Sequence, residues 1–526
     1  MENFEAYFII LCGIFGSLFV VARRSIFRRI ARRIYRSLAY TFILRRHRWM
    51  GPWTVGAFML QISYIIANFI CIAFRVSSLA DAGARAGRLS LINMAPLFLG
   101  PHLGFLADVF GMPVRAFHKV HCSYGAMSTG LVLFHGGVMA LLEGPQDIYV
   151  STGAISLAVL LLLSMPLLRR AFYEIFLRTH QAIAIFAASS IWWHLRSMPR
   201  FPWEYIYIYG GLSGILNLFQ LGCTAYRNKR WGSPLPRLII REDGGDVCIT
   251  VELSRPVRLK AGQYINLWIW APTVSFWSWT QSHPFTVVSW SPAEQRSLEL
   301  LIQPRKGFTS KLLQTNKRMK NGDDASLSYP ALFSGPHGIS FPVWGFKTVL
   351  MFATGFGIAA MLPYLEKLIH DHKYCKSRTR RIHLVWHTEG IPQFTRILNL
   401  LNYRLKDDAI DNSYILHISI YNEGNEGRLG KKEFGEHGRA AFFAGLPDLE
   451  AILAAENGNF IQPMGKGGAC MDHGDLFRQV EEVQTDKGRV LVLASGTAEL
   501  RDKLRELVRR CSHKKVSLKE LDYQPG

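Results

Sequence analysis

FHKVHCSYGAMSTGLVLFHGG at residues 117–137 and YEIFLRTHQAIAIFAASSIWWHLRS at residues 173–197 are apolar stretches, each with two histidines 14 residues apart: His121 with His135, and His180 with His194. At about 100° per residue that separation returns to nearly the same face of a helix, and at about 1.5 Å rise it sets the side chains ~21 Å apart. Each helix therefore offers one imidazole toward each side of a bilayer. If the two helices run the same way, His121 faces His180 and His135 faces His194. Facing imidazoles are the axial ligands of a bis-histidine haem, a centre suited to one-electron transfer. A single intramembrane histidine can equally bond a backbone carbonyl or make a polar contact inside a bundle. Two pairs of identical spacing on non-adjacent helices point instead to two haems. His102 and His118 have no matching partner and read as structural.

Around these stretches the first 225 or so residues are dominated by apolar runs. A bilayer core needs about 20 apolar residues per helix, and the runs at 4–22, 52–75, 89–107, 117–142, 152–168, 173–195 and 203–223 are the candidate spans. The third is interrupted by Pro96, Pro101 and His102. The net charge of +22 does not read as nucleic-acid binding, because its placement is that of membrane flanks. Ten arginines lie between Arg23 and Arg48, directly after the first run, and Arg227, Lys229 and Arg230 follow the last. Such clusters stay on the cytoplasmic side. The expectation is a multi-pass protein of the plasma membrane or an endomembrane, with its N-terminus outside and its C-terminal half cytosolic. The run at 4–22 has its basic cluster after the apolar stretch and no A-x-A-like cleavage site, so it reads as a retained span. The eight cysteines include no C-x-x-C pair, which gives neither a disulfide framework nor a zinc site.

After Trp231 the pattern changes to short β-rich runs at 237–241, 247–253, 264–270 and 298–303, the signature of a barrel or sandwich. From residue 346 onward strands and helices alternate: a strand at 348–353, a glycine-rich turn at 354–360, a helix at 361–371, a strand at 382–387, a helix near 394–405 and a strand at 414–421. That is a parallel α/β nucleotide-binding pattern. Gly355-Phe356-Gly357-Ile358 follows a strand and opens a helix, where backbone N–H groups and the helix dipole can receive a pyrophosphate. A tight βα turn without a ligand has the same local sequence.

With both halves read, the chain resembles the ferric reductase and NADPH oxidase superfamily, most closely the fungal ferric-chelate reductases. The four histidines match the family's haem ligands. His283-Pro284-Phe285-Thr286 is similar to its H-P-F-T flavin motif, which implies Thr286 near the isoalloxazine and His283 near the FAD phosphates or ribityl chain. Lys306-Gly307-Phe308-Thr309 resembles the segment that cradles the FAD pyrophosphate. Gly335-Pro336-His337-Gly338 resembles the turn closing the flavin domain, with His337 in place of an aromatic. Gly355, Phe356, Gly357 and Ile358 match the pyridine-nucleotide turn. The family's C-G-P motif beside the nicotinamide corresponds to Ser495-Gly496-Thr497, which keeps only the glycine. Tyr523 resembles the near-terminal aromatic over the flavin, and surface packing accounts for it equally well. Where the family often carries arginine for the 2′-phosphate of NADPH, this chain has Glu389 and Leu446; an acid near the second strand favours a free ribose 2′-OH, and Arg378, Arg380 and Arg381 stand close enough in sequence to compensate.

The resemblance implies three parts: an α-helical transmembrane haem-binding bundle (1–230), a cytosolic FAD-binding β-barrel (231–340), and a parallel α/β NAD(P)-binding domain (341–526) of ferredoxin-reductase-like type. It implies FAD, two b-type haems and NADPH or NADH as cofactors. The expected activity is transfer of electrons from NAD(P)H across the membrane to chelated ferric or cupric ion. A superoxide-forming oxidase, a reductase of an organic substrate and a membrane cytochrome without nucleotide binding are the alternatives.

Overall fold

The structure, a computed structural model, describes residues 34, 37–46, 51–144, 148–165, 173–196, 204–243, 246–275, 278–303, 308–319, 328–389, 394–408, 414–423, 432–433, 438–456, 489–511 and 516–523. The candidate span at 4–22, most of the arginine cluster, Lys306 and Gly307 lie outside the described residues. The fold divides into two compact units, Met1–Pro101 with His118–Gly214, and His102–Phe117 with Ile215–Gly526.

A short antiparallel pair, β1 (Phe42–Leu44) and β2 (Trp53–Thr54), precedes the helices. Helix α1 (Val55–Ala73) starts where the Thr54 side chain accepts the Ala57 N–H at 3.3 Å, satisfying one of the donors a helix start leaves open. Helix α2 (Leu79–Phe98) begins ten residues before the expected third span. Ser78 caps it by accepting the Asp81 N–H at 3.1 Å, and Asp81 pairs with Arg85 at 2.9 Å one turn on. That local neutralisation lets the polar stretch at 79–88 join the helix. A 3-10 turn at Gly100–His102 follows in sequence, and then α3 (Leu103–Phe110). The remaining helices here are α4 (Val114–Glu143), α5 (Ile148–Leu163), α6 (Tyr173–Arg196) and α7 (Glu204–Asn228).

Among the described residues Val55–Ala73, Leu79–Phe110, Val114–Glu143 and Glu204–Asn228 are long and apolar enough to cross a membrane. Helix α5 is apolar but only 16 residues long, and α6 carries Glu174, Arg178 and Arg196 within its 24 residues. In the first unit α1 and α2 are joined by a polar relay: the Tyr64 hydroxyl donates to Asn93 at 2.5 Å, and Asn93 donates to Asn68 at 2.8 Å. Interhelical polar bonds of this kind hold helices together where apolar burial offers no preference. Leu91, Met94, Leu157, Leu160, Ala187 and Leu195 form a buried cluster from α2, α5 and α6.

The second unit contains two sheets. Strands β3 (Arg237–Asp243), β4 (Asp246–Val257), β5 (Tyr264–Ile269), β6 (Ser282–Thr286), β7 (Gln295–Leu301) and β8 (Ser328–His337) form an antiparallel sheet in the order β6-β5-β8-β3-β4-β7. Its edge strands meet at a bridge between Val287 and Leu300 and a Val288 N–H bond to the Glu299 carbonyl at 2.9 Å. Leu238, Ile249, Ile265, Leu267, Leu298 and Phe333 fill the inside. Helix α8 (Phe308–Met319) lies between β7 and β8 in sequence.

The other sheet has strands β9 (Thr348–Thr354), β10 (Arg381–Thr388), β11 (Leu416–Asn422), β12 (Lys432–Glu433), β13 (Ala440–Ala444), β14 (Val490–Ser495) and β15 (Val516–Glu520), ordered β12-β13-β11-β10-β9-β14-β15. All pairs but β12–β13 are parallel. Strands β9 and β14 are almost wholly buried, as central parallel strands covered on both faces must be. The helices α9 (Ile358–Lys373), α10 (Thr395–Asp407), α11 (Leu449–Glu456) and α12 (Ala498–Arg510) accompany this sheet.

Candidate functional site

Within the first unit α4 and α6 bring the histidines together as the 14-residue spacing predicts. The His121 and His180 rings have centres 6.2 Å apart, and those of His135 and His194 are 6.4 Å apart, with ring planes inclined at 55° and 54°. Two imidazoles bound on opposite sides of one metal at ~2.0–2.1 Å each would hold their ring centres roughly 6–6.5 Å apart. The neighbouring helix leaves room for these rings by offering glycine. A Cβ at Gly87 would lie 3.0 Å from His135 Nδ1, and one at Gly100 3.1 Å from His121 Cε1. His135 Nδ1 donates to the Gly83 carbonyl at 2.9 Å, which leaves Nε2 as the free lone pair, the orienting bond a ligating histidine characteristically makes. The Nδ1 atoms of His121 and His180 are buried and meet no hydrogen-bond partner among the described residues. The donor set and spacing thus fit two axially ligated haems. His102 instead bonds Gln220 at 3.0 Å.

In the second unit His283, Pro284, Phe285 and Thr286 form most of β6, in register with β5 from Tyr264 opposite Thr286 to Leu267 opposite His283. The His283 ring stacks on Phe308 at 5.0 Å and 4°, so the H-P-F-T strand meets the start of α8, where Thr309 also stands. The Thr286 hydroxyl donates to the Tyr523 carbonyl at 2.8 Å, and the Tyr523 hydroxyl donates to Gln303 at 3.1 Å. A residue near the end of the chain is thereby tied to the flavin motif. Replacing Thr286 by valine keeps the shape and removes the donor. The expected cost is about 1 kcal/mol, read as a lower temperature of flavin release in a thermal ramp; an unchanged release temperature would show that the bond does not hold the tail.

Two carboxylates not singled out by sequence reading complete this region. Asp108 of α3 accepts the Gly338 N–H at 2.6 Å and meets His337 Nδ1 at 2.6 Å, while His337 Nε2 meets Ser334 at 3.0 Å. Burial and the Asp108 charge push the nearby Tyr264 hydroxyl well above its ordinary pKa. Asp522, beside Tyr523, pairs with Arg115 at 2.9 Å and Arg501 at 3.2 Å; burial raises its carboxyl, opposed by the two guanidinium groups. One signal for Asp108 existed: it is the single acidic residue between positions 82 and 142.

The Gly355–Gly357 turn is closely packed. Gly355–Gly357 form a 3-10 turn between β9 and α9, with φ +50° at Gly355, and Ile358 opens α9. Phe356 lies edge-on to Phe394 at 5.1 Å. Strands β9 and β14 are paired with Ala353 opposite Ser495, which packs the turn against Ser495-Gly496-Thr497. A Cβ at Gly357 would lie 2.4 Å from the Ser495 carbonyl oxygen, and one at Gly496 1.9 Å from Thr354 Oγ1. Ser495 is fully buried, and its hydroxyl meets no hydrogen-bond partner among the described residues. Glu389 is exposed just after β10, and Leu446 is exposed after β13. Of the arginines offered as compensation, Arg381 is taken up by Glu456 at 2.6 Å.

An FAD-binding domain family matches residues 239–341. The chain is 26% identical over 318 residues to the ferric/cupric reductase transmembrane component 2 of Saccharomyces cerevisiae, covering 57% of this chain and 42% of that protein. It is 23% identical over 443 residues to the ferric reductase transmembrane component 1 of Schizosaccharomyces pombe, covering 71% of this chain and 74% of that one. It therefore spans less than half the length of the budding-yeast relative. Among solved structures, a flavohaemoglobin from Malassezia yamatoensis aligns with a TM-score of 0.38 at 12% identity, over 88% of this chain and 98% of that one. By sequence, the chain is similar to fungal ferric reductases.

Proposed function

We propose that the protein is a transmembrane oxidoreductase that takes electrons from NADH or NADPH in the cytosol and delivers them singly, across the plasma membrane or an endomembrane, to chelated ferric or cupric ion. The observation that carries this reading is the pair of matched histidine couples at 6.2 and 6.4 Å in a chain that also has a flavin-type barrel and a parallel nucleotide-binding sheet. FAD, when bound, converts a two-electron donor into one-electron steps, and b-type haems carry single electrons onward.

His121 with His180 would hold one haem, and His135 with His194 the other, His135 being oriented by its bond to Gly83. Thr286 and Tyr523 would border the isoalloxazine, with His283 near the FAD phosphates or ribityl chain and the Lys306-Gly307-Phe308-Thr309 segment on the pyrophosphate. The Gly355-Phe356-Gly357-Ile358 turn would receive the dinucleotide phosphates at the start of α9, where the helix dipole favours negative charge. Ser495 and Gly496 would border the nicotinamide. Glu389 favours a free ribose 2′-OH and hence NADH, and the engagement of Arg381 with Glu456 supports the same preference.

The test is a reduced-minus-oxidised absorbance spectrum of the isolated protein, with dithionite and then NADH or NADPH. A b-type signal with a nucleotide, followed by metal-dependent, cyanide-insensitive reoxidation, is the expected result. Superoxide release without added metal would replace the metal acceptor by O2. A folded, haem-supplied protein with no haem signal would end the reading.

A further inference from the structure

We propose that Trp270 and Trp279, on the flavin-domain barrel, lie in the headgroup region of the lipid bilayer and dock that barrel on the membrane. The two side chains are 56% and 51% exposed, and with Pro272 and Ser278 they line a shallow cleft. A soluble domain does not ordinarily leave two indole rings together in water, whereas the membrane–water interface is where tryptophan is enriched, its apolar ring among lipid and its N–H toward water.

The position of the pair identifies lipid as the occupant. Helix α7, one of the helices apolar and long enough to cross a membrane, ends at Asn228. The buried Asn228 side chain donates to the Phe333 carbonyl at 2.6 Å and accepts the Phe333 N–H at 2.9 Å. The end of α7 is thus clamped to the middle of β8. Three residues along that strand, the Pro330 carbonyl accepts the Trp270 N–H at 2.9 Å, and the Ala271 N–H bonds Ser278 at 3.1 Å, which fixes Trp279 beside it. Three strand residues span roughly 10 Å, so the backbone that carries Trp270 is anchored to β8 about that far along the strand from the Asn228 clamp at the end of α7. Leu332 of the same strand is also exposed, and Trp231, just beyond α7, is 97% exposed. Exposed Lys229 and Arg230 follow the same helix end, and cations there suit anionic lipid headgroups. The inference rests on the reading of α7 as a membrane span.

The test uses the holoprotein in nanodiscs of phosphatidylcholine, either plain or brominated near the glycerol end of its acyl chains, and the variant W270F/W279F. The variant must retain bound flavin; if the double change loses it, W270F and W279F are compared singly. Tryptophan emission of the variant is subtracted from that of the parent in each lipid. The expected difference is at least twofold weaker in brominated lipid, because bromine quenches only indoles at lipid depth. A difference of equal size in both lipids would overturn the proposal and leave the indoles to solvent or to a protein partner. W192F/W193F, in α6, supplies the reference. If its difference is quenched while that of W270F/W279F is not, docking alone fails; if neither is quenched, the membrane reading itself fails.

Discussion

Substitution of His180 by leucine is expected to remove roughly half of the haem from the purified protein, because on the proposed function His180 is one of the two ligands of a haem, and a ligand has no substitute in an apolar bundle. The companion change His121→Leu should have the same effect. The two rings have centres 6.2 Å apart; if they hold one haem, as proposed, the double variant should lose no more haem than either single one, the non-additivity expected of residues that act as a unit. Combining His180→Leu with His194→Leu removes one ligand from each couple and should leave the protein almost without haem. His102→Gln serves as the control. His102 is buried and bonded to Gln220 at 3.0 Å, and its replacement should keep full haem content. The measurement is the pyridine haemochrome content per protein chain, which does not depend on turnover. Full haem content in His180→Leu would remove the couple from the electron path.

Both couples are written into the sequence itself. The separation of 14 residues is a property of the helix, so two matched couples were legible from periodicity alone. The strand–turn–helix at 348–371 was legible for a similar reason: an unbroken apolar run, a G-x-G turn and an amphipathic helix are all local patterns. The start of α2 was not. Its first turns look too polar for a span, and only the Asp81–Arg85 pair and the Ser78 cap explain why they are helical. The tertiary ties were also out of reach. Thr286 meets Tyr523 across 237 positions, and Asp108 meets His337 across 229. No periodicity connects residues that far apart, and a lone acid in an apolar stretch marks Asp108 as unusual without naming its partner. The stacking of His283 on Phe308 was likewise beyond a motif reading, which placed both near FAD but not against each other.

The close approach at the nucleotide turn leads to the second large effect. Gly496→Ala is expected to abolish nucleotide-driven flavin reduction while leaving the dithionite-reduced haem spectrum intact. At φ +138° the backbone of Gly496 suits only glycine, and the added methyl would sit 1.9 Å from Thr354 Oγ1. That oxygen cannot simply turn away, because it accepts the Thr497 N–H at 2.7 Å and so anchors the cap of α12. Backbone strain of about 1–3 kcal/mol and overpacking of about 1–3 kcal/mol act on the same few atoms, enough to push β14 and the Gly355–Gly357 turn apart. Gly357→Ala attacks that contact from the other side, 2.4 Å from the Ser495 carbonyl oxygen, and should give the same phenotype. Gly345→Ala, whose methyl would meet nothing within 4 Å, should be neutral. Ser495→Cys should also fold, since sulfur replaces a buried hydroxyl that has no hydrogen-bond partner among the described residues, and cysteine is itself readily buried. Stopped-flow flavin bleaching with NADH and with NADPH separates these variants. Bleaching at the parent rate in Gly496→Ala would mean that dinucleotide enters elsewhere, because a turn spread by an added methyl cannot still present its N–H groups to a pyrophosphate.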